Sequence, residues 1–204
     1  MDKVDIFNQA TTSLTPHKYY HGSDREIHGE YLRPREAFNS VQDGVVSGAF
    51  VTSDINHAKY FAIHHCIGKG MGKKHGNVLY LEQLQENIKS YFYIYTAYET
   101  EENPFIHDKG TEYYSTQPIK IAESEKCDTA EEIRKLGYEV YVLDEPLKTK
   151  VDKGLGHNFN VQKEFNDAIE NKRYHRVDIA SMIEQQSKNR ASTMFYKLFH
   201  QKND

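Results

Sequence analysis

Apolar positions recur along this chain in two rhythms. In short stretches they crowd together or alternate with polar residues, which is the rhythm of a strand. In longer stretches they return every three or four positions, which is the rhythm of a helix. Residues 17–22 (HKYYHG), 48–52 (GAFVT), 78–82 (VLYLE), 91–98 (YFYIYTAY) and 138–143 (YEVYVL) are of the first kind and predict strands rich in aromatic and β-branched side chains. Residues 112–121 read as a further strand, placed at a sheet edge or a bulge by Pro118. A helix is predicted from Ile55 to about His65, capped by Ser53 or Asp54, with Ala58, Phe61, Ala62 and His65 on one face. A second, short helix is predicted over 130–136. Asp128 and Thr129 are its cap candidates, Thr129 and Glu132 form a capping box, and Gly137 ends it.

Loops are expected at 36–48, at the glycine-lysine stretch 68–76 and at the acidic stretch 99–111. Residues 150–160 mark a break. Beyond them the pattern is polar and helical, with helices expected over 161–172, 177–186 and 191–201. The chain therefore divides into a lead-in (1–16) closed by Pro16, a body (17–148) and an α-helical C-terminal extension (149–204). The expected fold class is α+β. There is no internal repeat and no low-complexity tract.

Composition narrows this picture. At 204 residues the chain fits one domain with an extension, and 12% aromatic residues (15 Tyr, 10 Phe) are too many for a disordered segment. The formal charge of −4 argues against a protein devoted to nucleic-acid backbones. Lys69, Lys73, Lys74 and His75 form a local basic patch, and Arg33 and Arg35 flank Pro34. Either set is a solvated surface or a contact to phosphates. Cys66 and Cys127 make no disulfide framework, and neither a leader pattern nor an apolar run of membrane-spanning length is present, so a cytoplasmic setting with no membrane partner is expected. Export by a machine that needs no signal would leave no mark in the sequence. His57 and His64 are seven apart on the predicted helix, but His64, His65 and Cys66 are consecutive and cannot all face one ion. Without a CxxC or HExxH pattern, no metal is expected and these read as surface histidines.

Three short pieces carry candidate chemistry: Tyr20-His21-Gly22-Ser23; Gly48-Ala49-Phe50-Val51-Thr52 with Asp54, Ala58, Lys59, Tyr60 and Phe61 after it; and Thr111-Glu112-Tyr113-Tyr114 on a late strand. Their order and content resemble the His–Tyr–Glu class of ADP-ribosyltransferases, the diphtheria-toxin-like and poly(ADP-ribose) polymerase-like enzymes, and also the small bacterial rifampin ADP-ribosyltransferases. The resemblance covers roughly residues 17–145. It implies two small antiparallel sheets packed face to face around an NAD cleft, NAD as the substrate and release of nicotinamide. Breaking the nicotinamide–ribose bond builds oxocarbenium charge on the ribose, so the site must hold the carboxamide, clamp the riboses and oppose that charge with a carboxylate.

By resemblance, His21 holds a ribose hydroxyl, Gly22 bonds the carboxamide through its backbone, and Ser23 adds a hydroxyl there. Phe50 stands where the family usually has Tyr, keeping a ring and losing a phenol. Phe61, or its neighbour Tyr60, supplies the second ring. Glu112 is the implied catalytic carboxylate. The rifampin enzymes draw theirs from the preceding loop, which makes Glu102 the chief rival, with Glu101 and Asp108 behind it. Arginine-directed relatives carry Glu-x-Glu, whereas Glu112 is followed by Tyr114, so arginine is disfavoured as acceptor. A protein side chain is the first candidate, in the manner of a bacterial toxin or effector with its antitoxin or chaperone. A nucleic-acid base or a small molecule such as an antibiotic follows. The alternatives are NAD hydrolysis and a non-catalytic module that binds NAD or ADP-ribose.

Overall fold

The structure is a computed structural model that describes residues 17–39, 44–101, 104–148 and 159–200. In chain order the first half comprises β1 (Lys18–Ser23), β2 (Tyr31–Leu32), β3 (Arg35–Asn39), β4 (Gly44–Thr52), α1 (Ile55–Ile67), β5 (Gly68–His75), β6 (Val78–Leu84) and β7 (Tyr91–Tyr98). The second half comprises β8 (Ile106–Lys109), β9 (Glu112–Ser115), β10 (Ile119–Lys120), β11 (Glu123–Asp128), α2 (Thr129–Lys135), β12 (Glu139–Leu143), α3 (Phe159–Glu170), β13 (Tyr174–Val177) and α4 (Ile179–His200). The fold is mixed α+β with mostly antiparallel pairing.

A seven-stranded sheet runs in the order β11-β7-β1-β4-β9-β8, with β3 also paired to β4; a four-stranded sheet runs β13-β12-β6-β5; β2 and β10 form a separate pair. The smaller sheet departs from the antiparallel expectation, because β12 lies parallel to β6. Parallel neighbours need a long crossover, and here that connection passes through β7 to β11 and returns along α2.

The dense aromatic run of β7 is explained by its central position. Tyr95 and Ala97 pack with Tyr19, Ala49, Val51, Leu32 and Ile119 on one face. Phe92 and Ile94 face the opposite cluster, which contains Ala62, Ile63, Leu79, Leu81, Val140 and Val142. A strand covered on both faces loses the polar alternation of a half-exposed one. Helix α1 touches β1, β4 and β7 of the large sheet and β5 of the small one, so the sheets share its core. Asp54 caps α1 by accepting from the Asn56 N–H at 2.9 Å.

Several segments differ from expectation. Residues 68–76 contain strand β5, an edge strand whose exposed lysines and glycines hide the strand rhythm and suit an unpaired edge. The 36–48 segment is divided between β3 and the start of β4, and β8 lies within the acidic stretch. The helix at 129 is capped by Asp128, which accepts from the Glu131 N–H at 2.9 Å, so no Thr129–Glu132 capping box forms. The C-terminal region adds strand β13 to the small sheet and a single long α4 where two helices were expected. Its Val161, Phe165 and Ala168 pack with Leu143 and Leu147, and its Ile179, Ala180 and Ile183 enter the main core. The lead-in 1–16 lies outside the described residues. Among those described, no helix is long and apolar enough to cross a membrane.

Candidate functional site

The site begins with register. Tyr20 on β1 is opposite Thr52 on β4, and Thr52 is opposite Glu112 on β9. Side chains directly opposite one another share a face, so Tyr20, Thr52 and Glu112 form a row two strand spacings wide, about 10 Å. Two residues back along β4, Phe50 is opposite Tyr114 on the same face. Helix α1, which follows β4 directly, covers this face.

Next to that row, β1 and β4 part. The Glu99 N–H donates to the His17 carbonyl at 3.0 Å, while the carbonyls of Ser90 and Thr96 turn the other way, to Thr129 and Ala122, at 2.8 Å each. Alternation along the paired strands then points the main-chain groups of Tyr19, His21 and Ser23 toward β7, and those of Tyr20 and Gly22 toward β4. At Tyr20, β4 answers with Thr52. At Gly22 it does not, because the β1–β4 pairing among the described residues consists of that one rung. The Phe50 carbonyl, which would have faced Gly22, instead accepts from the His21 ring Nδ1–H at 2.8 Å. The imidazole thus stands in for the next rung. The main chain of Gly22 opens on a cavity of about 330 Å³ lined by His21, Gly22, Phe50, Phe61 and Glu112 among others.

The same bond fixes the state of His21. A carbonyl only accepts, so Nδ1 carries the proton and Nε2 keeps a lone pair. Burial pushes the imidazole pKa below its usual value; the Phe50 carbonyl opposes this, and the Arg35 and His65 charges add to the downward push. The ring is therefore a neutral acceptor at its Nε2.

Two phenylalanine rings flank the cavity. Phe50 leans on Tyr114 with centroids 5.7 Å apart and planes at 32°. Phe61 is 38% exposed. It stacks on His57 at 4.8 Å and 15°, one helical turn away. Tyr60 does not line this cavity. Its ring packs against the main core, with the Lys74 ammonium 5.9 Å from its centroid, and burial followed by the nearby Tyr138 raises its phenol pKa to about 12. Ser23 also stands apart: its hydroxyl donates to the Arg25 carbonyl at 2.8 Å and accepts from the Arg25 N–H at 3.2 Å, closing a local turn.

Glu112 is 24% exposed at its side chain, and His57 Nε2 stands 3.4 Å from its Oε1. Nothing in the spacing of His57 marks it, because the contact depends on β4 and β9 being neighbours. Of the rival carboxylates, Asp108 also lines the cavity. Glu101 is exposed in a turn, and Glu102 lies outside the described residues. Among the described residues no group of three or more His, Cys, Asp or Glu could hold a metal ion.

No known protein family, curated protein or solved structure matches the chain. The functional reading therefore rests on the geometry of the cavity and on the three sequence pieces that converge there.

Proposed function

We propose that this chain is a mono-ADP-ribosyltransferase that consumes NAD, and that the cavity between β1, β4, β9 and α1 is its NAD cleft. The observation that carries the reading is the open main chain of Gly22, set in one cavity with the Glu112 carboxylate and the rings of Phe50 and Phe61. A free N–H and C=O pair on a strand matches the C=O and N–H₂ of a carboxamide, as another strand would. Phe50 and Phe61 offer faces to the pyridinium, whose positive charge favours contact with aromatic rings. The neutral His21 Nε2 accepts from a ribose hydroxyl. Glu112 accepts from the 2′-hydroxyl and opposes charge at C1′.

In the reaction the bond between C1′ and the nicotinamide nitrogen breaks, and its electron pair goes to the ring, which leaves as neutral nicotinamide. The acceptor nucleophile forms the new bond at C1′ and gives up its proton. The leaving group, neutral nicotinamide, needs no acid. A protein side chain is the proposed acceptor class, in the manner of a toxin or effector.

The test is incubation of the purified chain with NAD, with and without a cell lysate, reading nicotinamide by chromatography and transferred ADP-ribose by mass spectrometry. Glu112→Gln is expected to lower release roughly 10²–10³-fold, the scale of removing one electrostatic contributor. Release without transfer would make the chain an NAD hydrolase. If the wild-type chain gives neither product, the transferase reading fails. The absence of a phenol at Phe50 favours the second reading, a module that binds NAD or ADP-ribose without turnover. Saturable binding with no nicotinamide release would establish it.

A further inference from the structure

The strongest group left unused by this chemistry is His57, in the first turn of α1. Its surroundings form a run of close polar contacts that ends at the Glu112 carboxylate. The Asp54 N–H donates to Thr52 Oγ1 at 3.1 Å. The Thr52 hydroxyl donates to Thr111 Oγ1 at 3.0 Å. Thr111 Oγ1 lies 3.2 Å from His57 Nδ1, and His57 Nε2 lies 3.4 Å from Glu112 Oε1. Each hydroxyl that receives a proton from one side is free to give its own on the other. With Nδ1 accepting from Thr111, the ring proton sits on Nε2, on the side of the carboxylate. The opposite tautomer would set a bare nitrogen lone pair against Glu112.

The imidazole is held from three sides. The Ser53 N–H donates to the Thr111 carbonyl at 2.9 Å, which fixes the residue that addresses Nδ1. Phe61 stacks on the ring plane. Thr52 and Glu112 are cross-strand partners, which ties the start of the chain of bonds to its end.

We propose that His57 is a positioning residue for Glu112: the chain Asp54–Thr52–Thr111–His57 sets the Nε2–H tautomer and holds the carboxylate in the orientation that meets the ribose. This rests on the transferase reading above. Thr111 and His57, which do not line the cavity, thereby join the site through Glu112, while Thr52 lines the cavity as well. The arrangement follows the pattern in which an imidazole tautomer is fixed by the bond its other nitrogen makes.

The experiment combines kinetics with nitrogen NMR. His57→Ala is expected to lower kcat for nicotinamide release about 10- to 100-fold, the scale set by orienting partners at other sites. KM for NAD should stay within about twofold, since uniform binding is not removed. His57→Gln places an amide N–H where Nε2 stands and should recover most of kcat. His57→Asn reaches only to the position of Nδ1 and should not. In ¹⁵N-histidine spectra of the wild-type chain, His57 should show a protonated Nε2 and a bare Nδ1, and Thr111→Val should abolish that preference. Equal kcat in His57→Ala and wild type would overturn the proposal, as would Asn rescuing as well as Gln, or a protonated Nδ1 in neutral His57. A kcat loss matched by an equal loss of thermal stability, without Gln rescue, would assign His57 a merely structural role and also overturn it. A wild-type chain that releases no nicotinamide would instead fail the parent reading, and the spectra would still decide whether the hydrogen-bond chain exists.

Discussion

The carbonyl oxygen of Ala58 stands 2.0 Å from the point that a Cβ on Gly22 would occupy. No side chain there can yield, because the neighbour is the backbone of α1 itself. The helix rests directly on β1, and only a glycine permits that contact. Gly22 consequently does two things at once: it lets α1 close over the sheet on one side, and it leaves its main chain open toward the cavity along its edge.

Gly22→Ala should therefore damage stability and binding together. Overpacking against a rigid neighbour costs about 1–3 kcal/mol or more. For a chain of this size that corresponds to a fall in Tm of roughly 2–10 °C. Thermal melts and NAD titration of the same variant test the claim. Lost NAD binding at an unchanged Tm would show that the close approach of α1 is not needed for the fold.

His21 also has two separable bonds. His21→Asn keeps a donor near the position of Nδ1 and so can still bond the Phe50 carbonyl, but it removes the acceptor at Nε2. The expected loss is one neutral hydrogen bond, about 1 kcal/mol, seen as a rise of roughly fivefold in KM for NAD with the Tm nearly unchanged. His21→Ala removes both bonds and should lower Tm as well. Identical behaviour of the two variants would rule out a division of roles between the ring nitrogens.

What could be read from the sequence and what could not follows a physical line. The motifs around His21, Phe50 and Glu112 sit on strands with local signals, so their candidacy was legible before their distances were. The choice between Tyr60 and Phe61 was not, because adjacent helical residues differ by about 100° of rotation and only the placement of α1 decides which one meets the cavity. The His57–Glu112 contact was invisible for a related reason: it joins a helix to a strand 55 positions on, through the pairing of β4 with β9. Strand β5 carries no strand rhythm in its sequence because its Lys and Gly residues suit a solvated edge rather than a buried face. The helical C-terminal pattern was legible, whereas β13 has too few residues to show a rhythm before it pairs with β12.

Acid should destabilise the fold in a defined window. Burial, aided by the His65 charge and opposed by the Met71 backbone, pushes His64 from the usual 6.5 to about 4. Its folded pKa is the lower one, so between these values the unfolded chain binds more protons. The associated stability is full above about pH 6.5 and declines as pH falls toward 4, by up to about 3 kcal/mol. Burial of His21 acts in the same direction. Denaturant titrations at several pH values between 7.5 and 4 should show this slope, and His64→Leu should flatten it. An unchanged slope in that variant would assign the acid sensitivity elsewhere.

Lys59 belongs to the second sequence piece, yet its ammonium points into an ion pair, 2.7 Å from Glu132 Oε2, with both side chains 9% exposed. The pair joins α1 to α2. Burial alone would raise the Glu132 pKa, but the bonds from Lys59 and Lys135 outweigh it and hold the carboxyl below its usual value. Lys59→Met leaves that carboxylate with Lys135 alone, which bonds the other oxygen at 3.2 Å from a side chain 66% exposed. Breaking a buried pair from one side costs about 3–5 kcal/mol, and the remaining lysine should keep the loss near the lower figure. Lys59→Met combined with Glu132→Leu removes both charges and should recover most of that loss, since a well-packed apolar pair can equal a buried ionic one. A double-mutant cycle by denaturant unfolding measures the coupling. A loss under about 1 kcal/mol in Lys59→Met would mean that water still reaches the pair and screens it. Nicotinamide release should persist in the double variant, because Lys59 holds α1 from the side away from the cavity and contributes no atom to its lining.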